Sequence, residues 1–274
     1  MKKAFSLIVA LLAIAGLLAL VLYLMWGKPS HKSADNDEDI EYASLFRGEE
    51  DRFALNDGSE LTIYSIKHGS IAINVAKKWI YIDPVTSAAL PETDYGILPK
   101  ADYILFTHNH LDHFDTLAVS QLKQEATTII ANESTIAQLG YGVILHNGES
   151  KTTDDGWLID AVPAYNNSPE KLQFHPRGRD NGYVLSIAGL RIYIAGDTEV
   201  IPELADIKDI DIAFLPCNLP FTMDPEQCAA AAKVVCPKVL FPYHYGGVNG
   251  ESDLQALIDL LDGSGIEVRI RKYA

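Results

Sequence analysis

The sequence predicts an α/β domain in which two β-sheets pack face to face with helices outside them. Three observations predict it. Short apolar runs with the alternation of strands dominate the first half of the chain. Strands alternate with helical patterns in the second half. Apolar residues make up 48% of the 274 residues, enough for a core between two sheets.

The elements follow in order. Residues 61–66 alternate as a strand does, and 71–75 and 79–82 are further short strands with turn residues between them. Tyr103-Ile104-Leu105-Phe106 is a compact apolar run, 117–123 has a helical pattern, and 127–131 is again strand-like. Strands are expected at 157–165, 182–187 and 191–195, the last two joined by Ala188-Gly189-Leu190, and then at 211–215. Asp224 is placed to cap a helix over 225–235, with Pro225 at its first position, where the missing N–H costs nothing. A strand at 239–243 and a helix at 252–261, stopped by Gly263, complete the domain. No repeat of fixed period is visible.

Ahead of the domain, Met1-Lys2-Lys3 leads into an apolar run over 4–26. It is long enough to cross a bilayer core of about 30 Å as a helix. Leu22-Tyr23-Leu24-Met25 ends the run without a small-x-small cleavage site, so an uncleaved anchor is preferred to a signal peptide. Tyr23 and Trp26 suit the far interface. Lys2 and Lys3 favour a cytoplasmic N-terminus and an extracytoplasmic domain, although Lys28 and Lys32 weaken the bias. The expected organisation is an N-terminal transmembrane anchor at 1–27, a polar acidic tether at 28–50 and a folded domain at 51–274. The net charge of -15 argues against nucleic acid, whose phosphates need a basic face. Cys217, Cys228 and Cys236 form neither a CxxC pair nor an even disulfide framework and read as ordinary thiols.

The chemistry lies at strand ends. The run 103–106 passes directly into Thr107-His108-Asn109-His110-Leu111-Asp112-His113, three histidines and a carboxylate within six residues. Imidazole and carboxylate suit zinc and similar ions. In an extended start His108 and His110 project to one side, and Asp112 and His113 turn towards a second position. Two later strands end in the same manner, one in Gly196-Asp197-Thr198 and one in His244-Tyr245-Gly246. Taken singly, Asp197 could be a turn residue and His244 a core histidine. Taken with 108–113, the three loops could converge on one sheet edge.

HNHLDH resembles the HxHxDH signature of the metallo-β-lactamase superfamily. The order of that motif, a GDT aspartate and an HYG histidine resembles its ascorbate-6-phosphate lactonase-like branch, to which phospholipase D-type hydrolases of N-acyl-phosphatidylethanolamine are related. The resemblance covers about residue 60 to the C-terminus. It implies a four-layer αβ/βα sandwich. It implies that His108 and His110 bind a first metal, that Asp112, His113 and His244 bind a second, and that Asp197 bridges both. The family supplies a third histidine to the first metal after a middle strand; here Asn166 stands at that place, and His175, nine residues on, would have to reach back.

The implied cofactor is one or two Zn2+ ions, with Mn2+ or Fe2+ as alternatives. Such an ion lowers the pKa of bound water from about 15.7 towards about 7. The hydroxide would cleave an ester, lactone or phosphodiester, with Asp112 orienting the nucleophile or shuttling its proton. Arg177 and Arg179, in a Gly- and Pro-containing loop, would hold a phosphate or carboxylate of a small-molecule or lipid-like substrate, or else are solvated loop residues. Phe221, Thr222 and Met223 would line the pocket or simply start the next helix. An iron-dependent oxidoreductase and a non-catalytic binding protein with a degraded site are the competing readings, since fold alone does not fix function.

Overall fold

A computed structural model describes residues 45–46, 50–87, 92–247 and 250–272. Strands β1 (Glu50–Ala54), β2 (Glu60–Lys67), β3 (Ser70–Val75), β4 (Lys78–Ile82), β5 (Tyr103–Phe106), β6 (Thr128–Ala131) and β7 (Val143–Ile144) lie side by side in chain order. β1 to β4 pair antiparallel and β4 to β7 parallel. The second sheet repeats the scheme. β8 (Ser150–Thr152), β9 (Leu158–Ala164), β10 (Asp180–Ile187) and β11 (Leu190–Ile194) are antiparallel, and β12 (Ile212–Pro216) and β13 (Val239–Tyr243) continue in parallel. A small hairpin of β14 (Gly246–Gly247) and β15 (Gly250–Glu251) intervenes before the edge strand β16 (Glu267–Val268), parallel to β13. The chain thus folds as two topologically equivalent halves, although its sequence shows no repeat.

Strand alternation builds the layers. Ile71, Ile73, Ile80, Ile82 and Leu105 of the first sheet meet Leu185, Ile192, Ile194, Phe214 and Phe241 of the second in one buried cluster. The intervening Tyr193, Ala195, Ala213, Leu215 and Leu240 face the other way. They pack with Cys228, Ala229 and Ala232 of helix α3 (Pro225–Val235) and Leu257 and Leu261 of α4 (Leu254–Leu261). On the outer side of the first sheet, Phe106 meets Phe114 edge-on at 5.0 Å, just ahead of α1 (Thr116–Leu122), whose Ala118, Val119 and Leu122 are buried. Each large apolar side chain buried in this way contributes roughly 1.5–3 kcal/mol.

Besides the short strands β7, β8, β14, β15 and β16, two longer elements are absent from the sequence expectation. Helix α2 (Glu133–Leu139) spans only seven residues, too few for a 3.6-residue period to show. Its local signals are complete all the same: the Asn132 side chain accepts from Thr135 N–H, and Gly140 closes it in the left-handed conformation. β1 begins inside the stretch expected to be a tether. Phe46 is 4% exposed and stacks on Tyr64 and Trp79 at 4.3 and 5.5 Å, and the compact unit runs from Leu45 to Ala274. Apolar segment 1–27 and the tether up to position 44 lie outside the described residues. Among the described residues no helix is long and apolar enough to cross a membrane.

Candidate metal centre

Six loops, each leaving the end of a strand, supply the site. His68 is in the β2–β3 turn, Asp83 follows β4, residues 107–113 follow β5, Asp197 follows β11 and His244 follows β13. The loop after β9 carries Asn166 and His175. Their donor atoms form three overlapping sets, each mutually within 4.8 Å: His108, His110 and His175; His68, Asp112, His113 and His244; and His108, His113 and Asp197. His108, Asp197 and His244 are therefore gathered at one point, as the three-loop expectation required.

Hydrogen bonds behind the rings fix which nitrogen faces inward. Thr107 Oγ1 gives its only proton to Asp83 Oδ2 (2.6 Å), so it accepts from His108 Nδ1 (3.0 Å). His113 Nδ1 donates to Asp83 Oδ2 (2.8 Å), and His175 Nδ1 donates to Asn166 Oδ1 (2.7 Å). All three Nε2 atoms then carry bare lone pairs, are buried, and have no hydrogen-bond partner; Asp197 Oδ1 and both ring nitrogens of His244 are also without one. Buried polar atoms are rarely left so. Converging lone pairs backed by a carboxylate or amide on the far nitrogen are the arrangement of metal-ligating histidines. The residues fit a divalent cation.

Asp197 faces both sets. Its Oδ1 lies 3.4 Å from His113 Nε2, and its Oδ2 lies 3.3 Å from His175 Nε2 and 3.5 Å from His244 Nε2. Burial pushes its pKa up to about 7 and that of Asp83 up to about 8. Burial likewise lowers His113 to about 4 and His175 to about 2 and holds His108 well below an ordinary histidine. Burial also opposes the charge of Asp112, but the imidazoles of His113, His244 and His68 outweigh it and keep this carboxylate below its usual range. The side chains alone thus present neutral imidazoles and unmatched carboxylates, which a dication would complement.

Asn166 stands behind His175 and outside the ligand sets. Its Oδ1 is taken by His175, and its Nδ2 donates to Phe221 O (2.9 Å). The histidine nine residues on occupies the position that the asparagine leaves. Arg177 reaches away from the cluster: it is 72% exposed, pairs with Glu203 (2.6 Å) and lies over the Tyr165 ring. Arg179 is held by both oxygens of Asp180 and brings Nη2 to 3.3 Å from His110 Nε2. Both arginines line a cavity of about 270 Å³, with Asn132, Glu133, His146, Asn147 and Asn181, and Arg179 is its link to His110. Met223 and Thr222 are buried in the fold, Met223 packing with the α3 layer.

Sequence reasoning passed over His68 and Asp83. His68 sits alone in a two-residue turn with no motif around it. Asp83 follows the apolar strand Trp79-Ile80-Tyr81-Ile82, the same signal that singled out Asp197.

A family model described as the beta-lactamase superfamily domain matches residues 78–245. The UPF0173 metal-dependent hydrolase of Lysinibacillus sphaericus is 33% identical over 213 residues, 73% of this chain and 92% of that protein. One from Symbiobacterium thermophilum is 31% identical over 225 residues, 77% of this chain and 92% of its own. The crystal structure of a candidate metal-dependent hydrolase from Parabacteroides distasonis is 49% identical, with a TM-score of 0.77 over 81% of this chain and 98% of that one. The diiron β-hydroxylase CmlA of Streptomyces venezuelae, 14% identical with a TM-score of 0.58, shares the fold alone.

Proposed function

The chain belongs to the beta-lactamase superfamily and is a metal-dependent hydrolase, and on that premise we propose that it cleaves an ester, lactone or phosphodiester bond with the help of Zn2+. The observation that carries this reading is the convergence of the unpartnered Nε2 atoms of His108, His113 and His175 around Asp197. Imidazole-rich donor sets suit zinc. His108, His110 and His175 would hold one ion and Asp112, His113 and His244 the other, with Asp197 between them. A divalent cation so held would supply water of lowered pKa and polarise the bond to be cut.

The chain's own residues do the rest. Asp83 and Asn166 fix the tautomers of His113 and His175, so no reorganisation is needed when the site is loaded. Asp112 is the one carboxylate of the cluster that reaches solvent, with 38% of its side chain exposed. Ionised and partly open to solvent, it is placed to accept the proton that water gives up. The cavity that Arg179 links to His110, walled also by three asparagines, would take a polar or anionic portion of the substrate. Apolar segment 1–27 would hold the domain at the outer face of a membrane, which favours a lipid-like substrate.

Hydrolysis of a nitrophenyl ester, an aryl lactone and a bis-aryl phosphodiester tests the reading. At least one should be cleaved, with activity lost to a chelator and restored by Zn2+. Asp197→Ala should lose metal and activity together, by 10³-fold or more in rate on the order expected for a lost charge-stabilising group. A stripped enzyme that retains full activity would refute metal dependence.

A further inference from the structure

We propose that His68 is itself a ligand of the second cation, beside Asp112, His113 and His244, an assignment that rests on the metal-dependent reading above. Its donor atom lies within 4.8 Å of the donor atoms of all three. Its Nε2 is 3.1 Å from Asp112 Oδ2, and His244 Nε2 is 3.4 Å from the same oxygen. The groups that merely brace this site, Asp83, Thr107 and Asn166, all approach a ring from behind, through Nδ1. His68 instead aims Nε2 at the oxygen that His244 also faces, from a ring only 3.6 Å from the His244 ring between centroids. Two imidazole nitrogens directed at one carboxylate oxygen form a ligand set once a cation stands among them.

The backbone is built to hold that pair. His68 has φ 45° and His244 φ 50°, the left-handed region that residues with side chains rarely adopt, and His68 O accepts His244 N–H at 3.1 Å. Strained residues of this kind persist where the surroundings over-determine them. Here two are bonded to each other across the two sheets. The adjoining Gly69 lets the turn close on His113.

With Asp197 between the ions, the assignment gives the second set five side-chain donors, against four for the first, His108, His110, His175 and Asp197. A cation with more protein donors is the more closed and retained, and one with fewer keeps room for solvent or substrate. The second ion is then the tightly held one, and exchange occurs at the first.

The test uses the full-length protein with cobalt(II) and two variants, His68→Asn and His68→Cys. Wild type should take up two equivalents. His68→Asn should bind one of the two equivalents, the one held more tightly in wild type, about tenfold or more weakly. His68→Cys should show a thiolate-to-cobalt charge-transfer band in the near ultraviolet that wild type, with its own Cys217, Cys228 and Cys236, lacks. The band arises only if position 68 touches the ion, so its absence overturns direct ligation even where His68→Asn binds weakly. His68→Asn binding both equivalents at wild-type affinity overturns it as well. Wild type that takes up no cobalt overturns the metal-dependent reading along with this one, whereas two equivalents in wild type and no band in His68→Cys overturn this inference alone.

Discussion

Gly69 lies one residue from His68, and a Cβ built there would sit 2.9 Å from Cε1 and 3.2 Å from Nδ1 of His113. Its backbone is not left-handed, so alanine costs little in conformation; the cost falls on the histidine. His113 has nowhere to yield, because its Nδ1 is tied to Asp83 and its ring lies 4.1 Å from that of His108. Gly69→Ala should therefore lower kcat/KM by on the order of 10²-fold, the usual cost of a displacement near 1 Å. Its melting temperature, measured without metal, should fall too, because overpacking against a fixed ring costs about 1–3 kcal/mol. A variant with unchanged kinetics would show that the His113 ring is free to shift. Asp83 belongs to the same argument. It is one of three left-handed non-glycine residues at the site, with His68 and His244, among eight such residues described. Strain gathered at one place marks where function has overridden local preference.

The segment between Asn166 and His175 brings the last ligand into reach. Buried Glu199, two residues past Asp197, holds it there. It accepts from Asn167 N–H (2.8 Å), Ser168 N–H (2.7 Å) and Ser168 Oγ (2.7 Å), and it pairs with Lys171 (2.9 Å). Lys171 Nζ in turn donates to Thr222 O (2.7 Å). Glu199→Gln replaces an all-accepting group with one that turns donors towards donors, at a cost of about 1–3 kcal/mol. Isothermal titration should show one of two ions bound more weakly, by about tenfold or more, with the other unaffected. Asp224→Ala is the contrasting change. Asp224 completes a capping box with Gln227 at the start of α3, its hydrogen bonds go to none of the ligands, and its loss should cost about 1 kcal/mol with metal binding untouched. The contrast also shows what a sequence can disclose. The α3 cap was legible because Asp224 and Pro225 are adjacent in the chain. The cluster 108–113 was legible for the same reason, and Asp197 and His244 because each follows an apolar strand. His68, and the way Asn166 and Glu199 bring His175 into place, were not. They are partnerships across 9 to 176 residues of chain, visible only once both sheets have paired.

At the scale of the molecule the donors are divided between the two halves. His68, His108, His110, Asp112 and His113 leave the first sheet, while His175, Asp197 and His244 belong to the second. A bound cation therefore joins the sheets. It stabilises the fold by mass action, by about 4 kcal/mol at a thousandfold excess over Kd. The gain should depend on pH in a defined sense. His113 and His175 titrate below the 6.5 of an unfolded histidine, so they cost the metal-stripped chain stability only as pH falls below that value. Asp197 and Asp83 are raised to about 7 and about 8 from 3.8, so the folded chain keeps their protons longer than the unfolded chain does. Stripped protein then loses stability as pH rises from 3.8 through those values, by up to about 1.4 kcal/mol per unit for each group. Above pH 6.5 the two histidines no longer change, and only the carboxylates act. A dication supplies the charge they lack, so loaded protein is spared this loss. The difference in melting temperature between loaded and stripped protein should widen from pH 6.5 to about 8.5, because Asp83 and Asp197 are buried against the seam that the metal closes. A difference that stays constant or narrows would place those carboxylates outside the field of the metal.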